Sequence, residues 1–242
     1  MAKLEGKCAV VTGGTRGIGI AIARGLLECG AWVFVCSRRE EDVRARVESL
    51  RAEGFDHIYG SACDIRSFDA VRAMMTEAVG VMGGVDILVN NAGTPSRGRV
   101  ESLTPEEWAK TMETNLSGAF YCCHEAIPSM KERGGGYIIN IGSLAGKNPL
   151  PGASAYCASK FGLLGFSESL MQEVRYDHIR VSCVMPGSVN TNFGQGVAGE
   201  IATWKLEAED VAEVVMDLLK KEPRALASVV ELRPSEPRSQ GS

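Results

Sequence analysis

The chain has 242 residues, 45% of them hydrophobic and 23% charged, which is the composition of a water-soluble folded protein long enough to bury one core without disulfide or metal staples. Its formal net charge of −4 is spread in mixed signs, so it has no basic stripe for nucleic acid, and no apolar run reaches the roughly 18 residues of a membrane span. Eight cysteines without a C-x-x-C pair, three scattered histidines and an N-terminus broken by Lys3, Glu5 and Lys7 predict a cytoplasmic protein with reduced core thiols and no metal site.

The first element is a short apolar run, Cys8-Ala9-Val10-Val11, which reads as a buried strand. It leads into Thr12-Gly13-Gly14-Thr15-Arg16-Gly17-Ile18-Gly19 and then into a helical pattern from Gly17 that ends near Gly30. A strand, a glycine-dense turn and a helix start in that order aim free backbone N–H groups and the positive end of a helix dipole at one point, which suits a phosphate. The spacing is G-x-x-x-G-x-G rather than G-x-G-x-x-G, and Gly13, Gly17 and Gly19 still supply the sharp turn, the close approach and the tight helix packing that such a loop needs. Ala31 to Cys36 reads as a second buried strand, so the segment is a βαβ unit with parallel strands. It ends in Ser37-Arg38-Arg39, with no acid before Glu40. An acid there would bind ribose hydroxyls, whereas Arg38, helped by Arg16, suits the 2′-phosphate of NADP.

Val43, Val47 and Leu50 mark an amphipathic helix, and His57 to Ala62 a third strand running into Cys63-Asp64-Ile65. Asp64 stands where a ligand-edge residue would meet the adenine amino group, or where an Asp would cap the next helix. The apolar spacing from Phe68 to Met82 predicts that helix, and Val85 to Val89 a fourth strand ending in Asn90-Asn91-Ala92-Gly93. Two amides followed by small residues can tie strand ends together and let a flat ring approach the backbone.

Pro105 opens a long helical stretch that passes Asn115 and ends near Met130. Tyr137 to Ile141 is a fifth strand, which delivers Ser143 just past its C-terminal end. The next helix carries Tyr156 and Lys160 four residues apart, hence on one face, where the ammonium would pull the phenol below its ordinary pKa of about 10. Such a pair is common by chance. Its placement after a nucleotide loop, five parallel strands and a ligand-edge serine gives it weight.

Together these motifs resemble the short-chain dehydrogenase/reductase family from about Leu4 to Thr191: Thr12 to Gly19, Asn90 to Gly93, Asn115, Ser143, Tyr156 with Lys160, and Pro186-Gly187 occur in the family's order. The resemblance implies that Tyr156 is the general acid/base, that Ser143 orients the substrate oxygen, that Lys160 binds nicotinamide ribose and lowers the tyrosine pKa, and that Asn115 holds a water in a proton relay. It also implies cofactor contacts from Gly13, Thr15, Arg16, Gly17, Ile18 and Gly19 in the loop, and from Ser37, Arg38, Asp64 and Ile65 beyond the second and third strands. Asn91, Ala92, Gly93, Tyr156 and Lys160 would contact the cofactor's other half, with Pro186, Gly187, Val189 and Thr191 closing over the nicotinamide.

The expected fold is one α/β, doubly wound Rossmann domain over residues 1–234, with about seven parallel strands and helices on both faces. A short substrate lid is expected at about 191–207, an amphipathic helix over 208–221, a last strand at 228–232 and a disordered tail over 235–242. The expected activity is NADP(H)-dependent reduction of a small-molecule carbonyl to an alcohol, most like a 3-oxoacyl-(acyl carrier protein) reductase. A reductase or dehydrogenase of a sugar, steroid or small xenobiotic carbonyl, and a dinucleotide-sensing binding protein without turnover, fit the same residues. The apolar positions Phe161, Leu163, Leu164, Phe166, Leu170, Met171 and Val174 on the Tyr156 helix are too many for one narrow stripe, so part of it is expected to face another subunit, and the family resemblance points to a homodimer or homotetramer.

Overall fold

The computed structural model describes residues 4–191, 193 and 202–236. Most of the expected lid, at 192 and 194–201, and the tail from 237 onward lie outside the described residues.

Strand β1 (Cys8–Thr12) is completely buried and turns through the glycine loop into helix α1 (Gly17–Glu28), with Gly30 past its end at φ +86°. β2 (Trp32–Ser37), α2 (Glu40–Ala52), β3 (Ile58–Ala62), α3 (Phe68–Met82) and β4 (Ile87–Asn90) follow. The chain then forms α4 (Pro105–Met112), opened by a Thr104–Glu107 capping box with Pro105 at its first position, and α5 (Gly118–Glu132). Between them, Glu113–Ser117 is a turn of π-helix, so the single long helix expected here is in fact two helices joined at Asn115. β5 (Gly136–Ile141), α6 (Ser154–Val174), β6 (Ile179–Pro186), α7 (Ala208–Lys220) and β7 (Val229–Leu232) complete the described chain.

The seven strands form one sheet in the order β3-β2-β1-β4-β5-β6-β7, all parallel. The chain winds outward from β1 to β3 and then crosses back to β4, so β1 and β4 are neighbours whose following loops diverge. That divergence opens a crevice at the strands' C-terminal ends, where ligands of open parallel sheets bind. Alternate residues of each strand feed two cores. Ala9, Val11, Val33, Val35, Val89 and Ile139 face α1, α2 and α7, whereas Val10, Phe34, Leu88, Ile138 and Val181 face α3, α5 and α6. Fully burying each such side chain stabilises the fold by about 1.5–3 kcal/mol, which is what holds the crevice walls in register. All eight cysteines are free thiols, seven of them buried.

Candidate active site

A cleft of about 600 Å³ runs across the C-terminal ends of β1, β2, β4 and β5. At one end stands the glycine loop. Gly13 and Gly17 hold φ of +63° and +54°, and a Cβ on Gly19 would lie 2.2 Å from the Gly13 carbonyl oxygen, so helix and loop pack too closely for any side chain there. The first turn of α1 holds no acid, and Arg16 at its N-cap makes no side-chain cap, so the positive end of the helix faces the cleft unneutralised. Thr191 packs against Gly17, 3.3 Å from where its Cβ would be. Asn91 fixes the loop from β4: its Nδ2 donates to the carbonyls of Thr12 and Gly13, while the Thr12 hydroxyl accepts from the N–H groups of Asn91 and Ala92.

Beyond β2, Ser37 and Arg38 line the cleft. Arg39, at the start of α2, sits 3.7 Å from both Glu41 and Asp42, whereas Arg38 forms no ion pair with any described residue. Asp64 and Ile65 line the same end. Asp64 is not a helix cap, because Ser67 caps α3 and accepts from the Ala70 N–H. Asp64 instead chelates the Arg66 guanidinium and accepts the Arg66 N–H, and these bonds, with the more distant Arg38 charge, hold its carboxyl below the usual range.

At the other end, Ser143, Tyr156 and Lys160 meet on one wall. The Ser143 hydroxyl accepts from the Ala145 N–H and stands close enough to the Tyr156 phenol to favour its ionised form. Lys160 is buried, donates to the Ile141 carbonyl at 2.8 Å, and has its Nζ 5.9 Å from the Tyr156 ring centroid. Burial pushes the lysine down to about 8. The expectation that Lys160 lowers the tyrosine pKa needs correcting: burial raises the phenol, and the groups that oppose it are the neighbouring Ser143 hydroxyl and the Arg97 charge. A buried phenol that keeps its proton is suited to donating it. Pro186, Gly187 and Val189 line the cleft, with Thr191 against the glycine loop, and the base of the 191–207 segment is pinned by a Val189–Leu206 bridge and an Asn190–Glu207 hydrogen bond of 2.6 Å.

Two expected site residues lie behind the wall and not in it. Gly19 packs the loop, and Asn115 is buried at the π-turn. The Asn115 Oδ1 accepts from the Thr94 N–H at 2.7 Å, and its Nδ2 donates to the Thr94 carbonyl and to Ser159 Oγ, which donates onward to the Tyr156 carbonyl. Both amide hydrogens and one lone pair of the side chain thus clamp the loop after β4 onto the N-terminal turns of α6. A second chain runs under the sheet's end, from Asn90 Nδ2 to Asn140 Oδ1 and from Asn140 Nδ2 through Ser167 to Leu163. Thr94, Ser159, Arg97, Phe193, Trp204 and Lys205, which patterning along the sequence does not single out, also line or buttress this end. Among the described residues no three His, Cys, Asp or Glu side chains converge as metal ligands.

A parallel sheet in this order, a glycine loop aimed into the crevice, and a serine, tyrosine and lysine opposite it define a nucleotide-dependent oxidoreductase of the short-chain type. The sequence pattern of the short chain dehydrogenase family matches residues 7–201, and the chain belongs to that family. It is 39% identical over 213 residues to a Streptomyces coelicolor protein named "Putative ketoacyl reductase", covering 87% of this chain and 81% of the relative. Among solved structures, a metagenomic short-chain oxidoreductase in complex with NADP has a TM-score of 0.85 at 37% identity, covering 98% of this chain and 100% of the other. A variant of actinorhodin polyketide ketoreductase with NADPH has a TM-score of 0.88 at 35% identity, covering 97% and 98%.

Proposed function

We propose that this chain is an NADP(H)-dependent carbonyl reductase, acting most like a 3-oxoacyl-(acyl carrier protein) reductase, with Tyr156 as its general acid. The observation that carries the reading is the meeting of Ser143, Tyr156 and Lys160 on the wall of one cleft whose other end holds an unneutralised helix N-terminus and an unpaired Arg38. Those features fit a phosphorylated dinucleotide. The backbone N–H groups at Gly17 and Ile18 would hold the pyrophosphate, Arg38 with Arg16 the 2′-phosphate, and Asp64 and Ile65 the adenine edge. When bound, such a cofactor supplies the hydride. The protein's part is to place the carbonyl oxygen against the hydroxyls of Ser143 and Tyr156, whose hydrogen bonds stabilise the charge that develops there, and to transfer the Tyr156 proton to that oxygen. Lys160 would bind ribose hydroxyls. The π-turn shifts the helix hydrogen-bond register at Asn115, which supports a place for a relay water at that residue.

Titration of the purified protein with NADPH and NADH tests the cofactor assignment. The expected result is a strong NADPH preference that falls by about tenfold or more in Arg38→Ala, the size of one lost charge-assisted hydrogen bond. Equal or tighter NADH binding would contradict it. Eight free thiols support a reducing, cytoplasmic setting, and no helix among the described residues is long and apolar enough to cross a membrane. The exposed aromatic rings of Trp108, Phe120 and Phe161 on α4, α5 and α6 support a homodimer or homotetramer.

A further inference from the structure

The cleft is far more cationic than the molecule. Arg16, Arg38, Arg97, Lys160 and Lys205 line it, and Asp64 is its sole carboxylate among the described residues, in a chain whose net charge is −4. That carboxylate is at the adenine end and is already chelated by Arg66. Arg16, Arg38 and Lys160 have work in the reading above, whereas Arg97 and Lys205 do not. Both line the same cleft as Leu150, Phe193 and Trp204, with the Phe193 ring 6.0 Å from the Tyr156 ring and the Lys205 ammonium 5.7 Å from the Trp204 ring centroid. The loop after β4 carries two arginines. Arg99 points away and pairs with Glu101, whereas Arg97 lines the cleft, has no ion-pair partner among the described residues, and is near enough for its charge to act on the Tyr156 phenol. Arg38 and Arg39 show the same division, in which the arginine outside is neutralised and the one facing the ligand is not.

Resting on the carbonyl-reductase reading, we propose that the cleft selects an anionic carbonyl compound, with its carbonyl at Ser143 and Tyr156 and its carboxylate or phosphate held by Arg97 and Lys205. Two cations without an ion-pair partner among the described residues offer charge-assisted hydrogen bonds that a neutral ketone cannot use. Carboxylate and phosphate share this chemistry, and matched substrates separate them.

The test compares acetoacetate with its methyl ester, and dihydroxyacetone phosphate with dihydroxyacetone, each at saturating NADPH. The charged member of one pair is expected to show a KM about tenfold to a hundredfold below its neutral partner. The pair that shows it tells carboxylate from phosphate. Arg97→Met should erase most of that difference by raising the KM of the charged member, while Arg97→Lys restores part of it. Neutral members reduced with equal KM would overturn the proposal and leave the carbonyl-reductase reading standing. Reduction of none of the four would remove both. Weakened NADPH binding in Arg97→Met would make Arg97 a cofactor contact and overturn the proposal as well.

Discussion

Lys160 carries a cost that its position explains. Its ammonium is buried, held by one carbonyl, and titrates at about 8 against 10.5 for an ordinary lysine. Between those values the unfolded chain binds a proton that the folded chain has released, so this group penalises folding fully below pH 8 and releases the penalty as pH rises towards 10.5. Replacing it by methionine removes the charge and also loses the hydrogen bond to Ile141, a loss that does not depend on pH. Denaturant unfolding should therefore show Lys160→Met gaining on the parent at pH 7, with the gap narrowing by roughly 1–3 kcal/mol by about pH 10. A gap that stays constant over that range would mean the lysine is not a buried cation. The same residue shows a limit of sequence reading: four-residue spacing puts Tyr156 and Lys160 on one face, but it does not say that the ammonium bonds a carbonyl while burial governs the phenol.

The glycine loop is the element that fixes the cofactor end, and its helix stands against it without clearance. Gly19→Ala would place a methyl 2.2 Å from a backbone oxygen and 2.5 Å from Asn91 Nδ2, so the loop must move away from β4. The expected effect is a destabilisation of about 1–3 kcal/mol in thermal or denaturant unfolding, together with weaker NADPH binding. A variant that bound cofactor as the parent does would show that this packing does not set the phosphate site. The loop was legible because strand, glycine spacing and helix are encoded locally. The π-turn was not. Apolar spacing continues from α4 into α5 as if the helix were unbroken, and the break is joined to contacts of Asn115 with Thr94 and Ser159, which are distant in sequence. Asp64 was legible as a ligand-edge residue, but only the structure distinguishes it from a cap, because Ser67 three residues later takes that role.

At the scale of the whole molecule, the order of the strands within the sheet was not legible, whereas the doubly wound parallel architecture was, because each buried strand alternates with an amphipathic helix. The substrate end was less so, since Arg97, Trp204 and Lys205 come from two irregular segments whose meeting depends on how β4, β6 and α7 are placed. The apolar surface makes a further demand: Trp108, Phe120 and Phe161 are 42%, 45% and 44% exposed, on three neighbouring helices. Sedimentation at working concentration should find a dimer or tetramer, and Phe161→Asp should shift it towards monomer, whereas a monomeric parent would refute the proposed assembly. The central claim is that Tyr156 delivers the proton, and its most direct test is single-turnover oxidation of bound NADPH by the parent and by Tyr156→Phe, with NADPH affinity measured on both. The account predicts near-parental NADPH binding and a rate reduced by about 10²-fold or more, the usual contribution of a positioned general acid. A Tyr156→Phe protein that oxidises NADPH with a carbonyl substrate at the parental rate would contradict it.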